Sequence, residues 1–123
     1  MPTDFKLTDE QLDGDRHVVA VAGEIDLFTA PDLKQRLASL IEAGRRQLVL
    51  DLSETTFLDS TGLGVLIGAV KRLRSRDGEL VIVNVDETIA KTFEITGLDQ
   101  IFTIRSSRPE ALEAFEGTQD QVA

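Results

Sequence analysis

The chain of 123 residues has no cysteine, and its apolar stretches are short. Without cysteine it has no disulfide, no thiolate nucleophile and no thiolate metal site. Apolar runs such as residues 65–70 fall far short of the roughly 20 residues that a membrane-spanning helix needs. Residues 1–10 are too polar and acidic for a signal peptide. We therefore expect a soluble cytoplasmic protein that does not act at a membrane.

Catalytic and nucleotide-binding motifs are also missing. The only histidine, His17, is far in the sequence from Ser60, and there is no Gly-x-Ser-x-Gly elbow, so serine hydrolase chemistry is disfavoured. The chain has no Gly-x-x-x-x-Gly-Lys-Ser/Thr loop, and the glycines Gly62 and Gly64 do not complete a dinucleotide-binding fingerprint. We predict no catalytic residue, no cofactor and no enzymatic activity. An enzyme with a serine nucleophile is the weakest alternative.

An excess of acidic residues argues against nucleic acid as a direct partner. The chain has 13 basic and 22 acidic residues, and the resulting net charge of −9 repels phosphate backbones. Isolated carboxylates in loops usually cap helices or form turns, although converging carboxylates can bind Mg²⁺. We therefore predict no metal site, with one alternative, a magnesium site at predicted strand ends. Its ligands would be Glu24, Asp26, Asp51, Glu54 and Asp59.

The start of the chain is predicted to form a β-hairpin. Phe5 and Leu7 alternate with polar residues, the Asp13-Gly14 pair indicates a tight turn, and residues 17–22 are rich in valine. The first two strands should therefore be antiparallel.

The rest of the chain alternates between helical and strand patterns. Residues 48–52 and 80–83 are almost continuously apolar, which is typical of buried parallel strands. Further patterns predict helices over residues 31–44, 60–76, 86–95 and 109–115 and a short strand over residues 101–104. The predicted fold is α/β: one domain over residues 1–117, with a mixed sheet that begins with the antiparallel hairpin and is flanked by about four helices. Residues 118–123 are predicted to be a disordered tail.

The predicted helix after Ser60 has two different sides. One side carries a stripe that should pack on the sheet, Leu63, Leu66, Ile67, Val70 and Leu73. The other side aligns Thr61, Gly64, Val65, Gly68 and Arg72. Because a glycine within a helix costs about 1 kcal/mol relative to alanine, two glycines on this side indicate the close approach of another backbone. That backbone belongs either to a partner or to a neighbouring element of the same fold.

Ser60 is a candidate phosphorylation site. Residues 57–64 read Phe-Leu-Asp-Ser-Thr-Gly-Leu-Gly, where a strand-like run changes to a helical pattern. Unpaired N–H groups and the helix dipole at a helix N-terminus can hold a phosphate. The alternative is that the Ser60 hydroxyl only caps the helix.

Several motifs resemble the STAS family, the anti-sigma factor antagonists of bacteria. Residues 50–64 resemble the family signature, with Asp-Leu-Ser followed by Phe-Leu-Asp-Ser-Thr-Gly-Leu-Gly. Three more segments resemble motifs of the family: Gly-Glu-Ile-Asp at residues 23–26, Gly-Glu-Leu at 78–80 and Thr-Gly-Leu-Asp-Gln-Ile-Phe at 96–102. The similarity extends from about residue 18 to about residue 112.

The resemblance implies a phosphorylation switch without catalysis by the chain itself. In the family, the serine that matches Ser60 is phosphorylated with ATP by an anti-sigma factor that is also a serine kinase, and a metal-dependent serine phosphatase reverses the reaction. The unphosphorylated antagonist captures the anti-sigma factor and so releases a sigma factor for transcription. We predict a partner-binding surface around Ser60 that comprises Asp26, Asp59, Thr61, Gly62, Leu63 and Gly64.

Three alternatives stay open around this prediction. Asp59 either contacts the kinase or only forms a turn or cap. Thr61 is a second hydroxyl beside Ser60, although a structural role in the first helical turn is favoured. Finally, the whole chain could be a stand-alone STAS subunit that docks on a transport ATPase of the lipid-trafficking type, with no phosphate turnover.

Overall fold

The computed structural model describes residues 4–120, in which strands and helices alternate after an initial hairpin. The strands are β1 (Lys6–Asp13), β2 (Arg16–Ile25), β3 (Gln47–Leu58), β4 (Glu79–Val83) and β5 (Thr103–Arg105). The helices are α1 (Ala30–Glu42), α2 (Ser60–Arg74), α3 (Glu87–Thr96) and α4 (Arg108–Asp120), with a short 3₁₀ helix at Leu98–Gln100. None of the helices in this part of the chain has both the length and the apolar character to cross a membrane.

The five strands form one mixed sheet in the order β1-β2-β3-β4-β5. β1 and β2 are antiparallel, whereas β2, β3, β4 and β5 are parallel to one another. The predicted fold class is confirmed in this respect, including the hairpin and the four flanking helices. In the central register Val19 lies opposite Leu50, and Leu50 lies opposite Ile82.

Helices cover both faces of the sheet, and the two faces carry separate apolar clusters. The larger cluster contains side chains of α1, α2 and α3, among them Leu37, Leu66 and Phe93, each with 2% exposure or less. The smaller cluster lies under α4, where Phe115 packs with apolar residues of the central strands. Successive side chains of β2 point to opposite faces of the sheet, so Val19 belongs to the first cluster and Val18 to the second.

Several element boundaries differ from the predicted ones. β3 continues six residues beyond the predicted strand, because it stays paired with β2 as far as Leu58 and the buried Thr55 hydroxyl donates to the Val21 carbonyl at 2.9 Å. The last strand lies slightly later than predicted, because the 3₁₀ helix occupies the preceding residues.

The last helix ends later than predicted. α4 runs to Asp120, five residues beyond the predicted end of the helix at residue 115 and three residues into the predicted tail. Residues 121–123 lie outside the described residues. The domain end at residue 117 and the disorder of the tail stay predictions.

An ion pair between the buried Asp51 and the exposed Arg108 attaches α4 to the sheet. Asp51 of β3 is 8% exposed, and its carboxylate accepts from Arg108 Nε at 2.7 Å and from the Ser53 N–H at 2.9 Å. Burial raises the pKa of Asp51, but the hydrogen bonds from Ser53 and Arg108 outweigh it and hold the pKa below its usual value. The folded state therefore favours the charged form of Asp51.

We expect Asp51→Asn to lower the free energy of unfolding by about 1–3 kcal/mol at neutral pH, because an amide group would then face the Arg108 guanidinium. A carboxyl group with a lowered folded-state pKa stabilises the fold above the ordinary aspartate pKa, about 3.9, and loses that effect as pH falls through the folded-state pKa. Urea unfolding of both proteins from pH 7 down to pH 3 measures this difference. A destabilisation that does not shrink with acid would contradict the assignment. Asp99→Asn, at an exposed carboxylate, is the control.

Candidate functional site

The candidate site lies where β2 and β3 end side by side and two helices begin. Ile25 lies opposite Leu58, the last residues of β2 and β3. One residue further on, the Asp59 N–H donates to the Ile25 carbonyl at 3.1 Å. This bond places the N-terminus of α2 next to the turn that leads into α1. The segments around Asp26 and Ser60, which are 34 positions apart in the sequence, therefore meet at one edge of the sheet.

Asp59, not Ser60, caps α2. The Asp59 backbone is extended, and its Oδ1 accepts from the Gly62 N–H at 3.0 Å. This contact confirms the turn-or-cap role of Asp59, and the prediction that Ser60 caps the helix is wrong. Ser60 is the first residue of α2 and is exposed. Within residues 4–120 its hydroxyl makes no hydrogen bond, so the oxygen is accessible to another molecule.

The predicted partner-binding residues divide into surface and buried positions. Asp26, Asp59 and Thr61 are half-buried and Gly64 is exposed, so these four can contact another protein. Gly62 and Leu63 are buried. They pack α2 on the sheet, as the apolar stripe predicted for Leu63, and neither belongs to the exposed part of the predicted surface.

Gly62 is required by the close packing at the start of α2. A Cβ atom on Gly62 would lie 2.5 Å from Leu58 Cδ1 and 2.7 Å from Ile25 Cγ2. Both distances are shorter than any real contact, and Ile25 is fully buried. The glycine therefore lets the first turn of α2 rest directly on the ends of β2 and β3, which sets the height of Ser60 above the sheet.

The turn between β2 and α1 is held by Asp26 and Thr29. Asp26 Oδ1 accepts from the N–H groups of Phe28 at 2.9 Å and Thr29 at 3.1 Å. The Thr29 hydroxyl accepts from the Asp26 N–H at 2.9 Å and donates to the Glu24 carbonyl at 2.8 Å. The Asp26 carboxylate thus has a structural task in this turn.

Two apolar residues of this turn were missed as site residues by the sequence analysis. Leu27 is 64% exposed and Phe28 is 85% exposed. The available signal was a pair of large apolar residues between a strand and a helix, outside the periodicity of either element. Such residues are normally buried, so their exposure beside the candidate site is informative.

The glycine-bearing side of α2 faces an open groove beside α1. The groove encloses about 500 Å³ and is lined by Thr61, Gly64, Val65 and Gly68 on the α2 side. A Cβ atom on Gly64 or Gly68 would meet no atom within 4 Å. Among the described residues no atom of another element lies close enough to require glycine at these two positions, so the approach of a partner stays a prediction.

The structure brings together neither a metal site nor a serine–histidine pair. Within residues 4–120 no three acidic, histidine or cysteine residues form a group that could hold a metal ion. His17 lies at the other end of β2 from Ile25, opposite Leu48, and its Nε2 is 3.0 Å from Asp9 Oδ1. Burial and the nearby Arg45 charge lower the pKa of His17, which is therefore a neutral structural residue at neutral pH.

Comparison with known proteins identifies the family. The model of the STAS domain matches residues 7–111. The chain belongs to the STAS domain family. An anti-sigma-B factor antagonist of Listeria monocytogenes is 42% identical over 101 residues, which are 82% of this chain and 89% of that relative.

Solved STAS structures have the same fold as this chain. The crystal structure of an anti-sigma factor antagonist from Mycobacterium paratuberculosis has a TM-score of 0.82 at 33% identity, over 90% of this chain and 93% of that one. SpoIIAA of Bacillus in its phosphorylated form has a TM-score of 0.70 at 22% identity, over 91% of this chain and 99% of that one, a likeness of fold alone.

Glycines of α2 offer a test of the packing at the site. We expect Gly62→Ala to lower the free energy of unfolding by about 1–3 kcal/mol, because the new methyl group would overlap Leu58 and Ile25. Gly64→Ala is the matched control: its methyl group enters open space and should raise the free energy of unfolding by up to about 1 kcal/mol. Urea unfolding measures both. A Gly62→Ala protein as stable as the parent would refute this packing role.

Proposed function

We propose that this STAS protein is an anti-sigma factor antagonist that is switched off by phosphorylation of Ser60. The main support is the state of the Ser60 hydroxyl, which is exposed, makes no hydrogen bond within residues 4–120 and stands at the start of a helix that Asp59 already caps. The names of relatives with 42% and 33% identity support the antagonist role.

Phosphorylation needs little rearrangement of the chain. The partner is an anti-sigma factor that is also a serine kinase and binds ATP. Ser60 Oγ attacks the γ-phosphorus, a new O–P bond forms, the bond to the β-phosphate oxygen breaks, ADP leaves and the hydroxyl proton passes to a base of the kinase. The new phosphate lies next to the first N–H groups of α2, those of Ser60 and Thr61, which have no acceptor within the helix.

The phosphate changes binding through charge and volume at the contact surface. Phosphoserine adds about 1.5 to 2 negative charges next to Asp59 and near Asp26. In the complex this dianion would also face the nucleotide phosphates of the kinase, so its repulsion and desolvation oppose association. A coupling of about 3 kcal/mol corresponds to a loss of affinity of roughly a hundredfold.

The cycle has two other participants besides this chain. A metal-dependent serine phosphatase hydrolyses the phosphoserine and restores the antagonist. The unphosphorylated antagonist binds the anti-sigma factor, and the released sigma factor activates transcription. In this cycle the chain is a substrate and a binding partner, not a catalyst, and it needs no cofactor of its own.

Substitutions of Ser60 separate binding from modification. We expect Ser60→Ala to bind the anti-sigma factor like the parent but to take up no phosphate, because only the acceptor oxygen is lost. Ser60→Asp should bind about tenfold or more weakly, since a carboxylate carries part of the phosphate charge. The experiment uses the serine-kinase anti-sigma factors of the source bacterium with Mg-ATP, calorimetric affinities and mass-spectrometric mapping of the phosphate.

Thr61→Ala is the matched control for the acceptor position. It should still be phosphorylated, because the modified oxygen belongs to Ser60. Phosphate on Thr61, or equal affinity of the parent, Ser60→Ala and Ser60→Asp, would refute the switch. Capture of a transport ATPase without any modification would instead favour the docking subunit.

A further inference from the structure

The turn between β2 and α1 presents two large apolar side chains to solvent. Phe28 is 85% exposed and Leu27 is 64% exposed. Their neighbours in the sequence, Asp26 and Thr29, are half-buried and hold the turn. We propose that Leu27 and Phe28 are the recognition anchor of this protein, and that Phe28 inserts into an apolar pocket on the anti-sigma factor. This inference rests on the function proposed above.

The turn is fixed before any partner binds. Four hydrogen bonds of 2.8–3.1 Å connect Glu24, Asp26, Phe28 and Thr29 within six residues, and two of them end on Asp26 Oδ1. The N–H of Ala30 in addition donates to the Asp26 carbonyl at 2.8 Å. A turn that is already ordered loses little conformational entropy on association. The hydrogen bonds of the turn thus keep Leu27 and Phe28 exposed to solvent. Neither side chain belongs to the hydrophobic core.

The chain segments that carry the anchor and Ser60 are neighbours at one edge of the sheet. Asp59, the residue before Ser60, is hydrogen-bonded to Ile25, two residues before Leu27. Ala30 and Pro31, which follow the anchor, line the same groove as Thr61, which follows Ser60. We therefore expect a kinase that delivers ATP to the Ser60 hydroxyl to contact the β2–α1 turn as well.

The negative charge of the chain favours binding of a different protein over binding of a second copy of the chain. Asp26 and Asp59 belong to the two segments that meet at this edge of the sheet, and the whole chain has a net charge of −9. Two copies that met through this surface would bring the same acidic groups together, which is unfavourable. Anionic lipid is disfavoured for the same reason. A different protein with an apolar pocket has no such penalty, and buried aromatic side chains near the centre of an interface often dominate its affinity.

Phe28→Ala is the direct test of the anchor. We expect it to bind the serine-kinase anti-sigma factor about 30-fold or more weakly than the parent, the effect typical of an aromatic hot spot. Its thermal unfolding should be unchanged, because Phe28 is exposed. Ile95→Ala is the matched control: Ile95 is 78% exposed but belongs to α3, the helix after β4, and its loss should change affinity by less than about twofold.

Oxidative footprinting of the unmodified protein provides a second measurement that needs no variant. The Phe28 ring should become protected when the anti-sigma factor is added, whereas Ile95 should stay as reactive as before. Footprinting without protection at Phe28, or Phe28→Ala binding within about twofold of the parent, would overturn the anchor and leave the proposed function intact. If the parent neither binds these anti-sigma factors nor is phosphorylated by them, the proposed function fails and the anchor fails with it.

Discussion

The joint ending of β2 and β3 is the constraint on which the site depends. The hydrogen bond from the Asp59 N–H to the Ile25 carbonyl connects the two chain segments just after their strands end. The absence of a side chain at Gly62 lets α2 start in direct contact with the same residues. Together they place the first turn of α2 beside the turn before α1. If β2 and β3 did not end side by side, the segments that carry Ser60 and Phe28 would not be neighbours.

Polar side chains at this edge are used mainly to hold the backbone. Asp26 and Asp59 each accept N–H groups of the turn or helix that follows them. Their carboxylates thus accept from backbone N–H groups that would otherwise have no hydrogen-bond partner. Ser60 is free because Asp59 does the capping. If the Ser60 hydroxyl capped the helix, phosphorylation would break the capping hydrogen bond. Because Asp59 is the cap, phosphorylation of Ser60 would leave that hydrogen bond in place.

Helix α2 combines a core role and a surface role along one length of chain. Leu66, Val70 and Leu73 are almost completely buried and anchor the helix on the sheet. Gly64 and Gly68, on another side, border an open groove and contact no other element among the described residues. The attachment of the buried side gives the exposed side a defined shape, which suits the partner binding proposed above.

Much of this protein could be predicted from local sequence patterns. Valine-rich and alternating runs predicted the hairpin, continuous apolar runs predicted the central parallel strands, and residues 57–64 pointed to Ser60. These features depend on the periodicity of neighbouring residues, which the sequence displays directly. The family resemblance rested on the same segments. Boundaries were less accurate where distant contacts decide them, as at the end of β3, which β2 and the Thr55 hydroxyl prolong to Leu58.

The sequence by itself thus determined the order of the elements, the buried stripe of α2 and the position of Ser60 at the start of that helix. Only the tertiary structure decided that Asp59 is the cap, that Gly62 lies in the core and that Leu27 and Phe28 are exposed. The physical reason is that capping, burial and exposure depend on which groups from remote parts of the chain come within a few ångströms. No periodic pattern records that Ile25 and Asp59 are hydrogen-bonded neighbours.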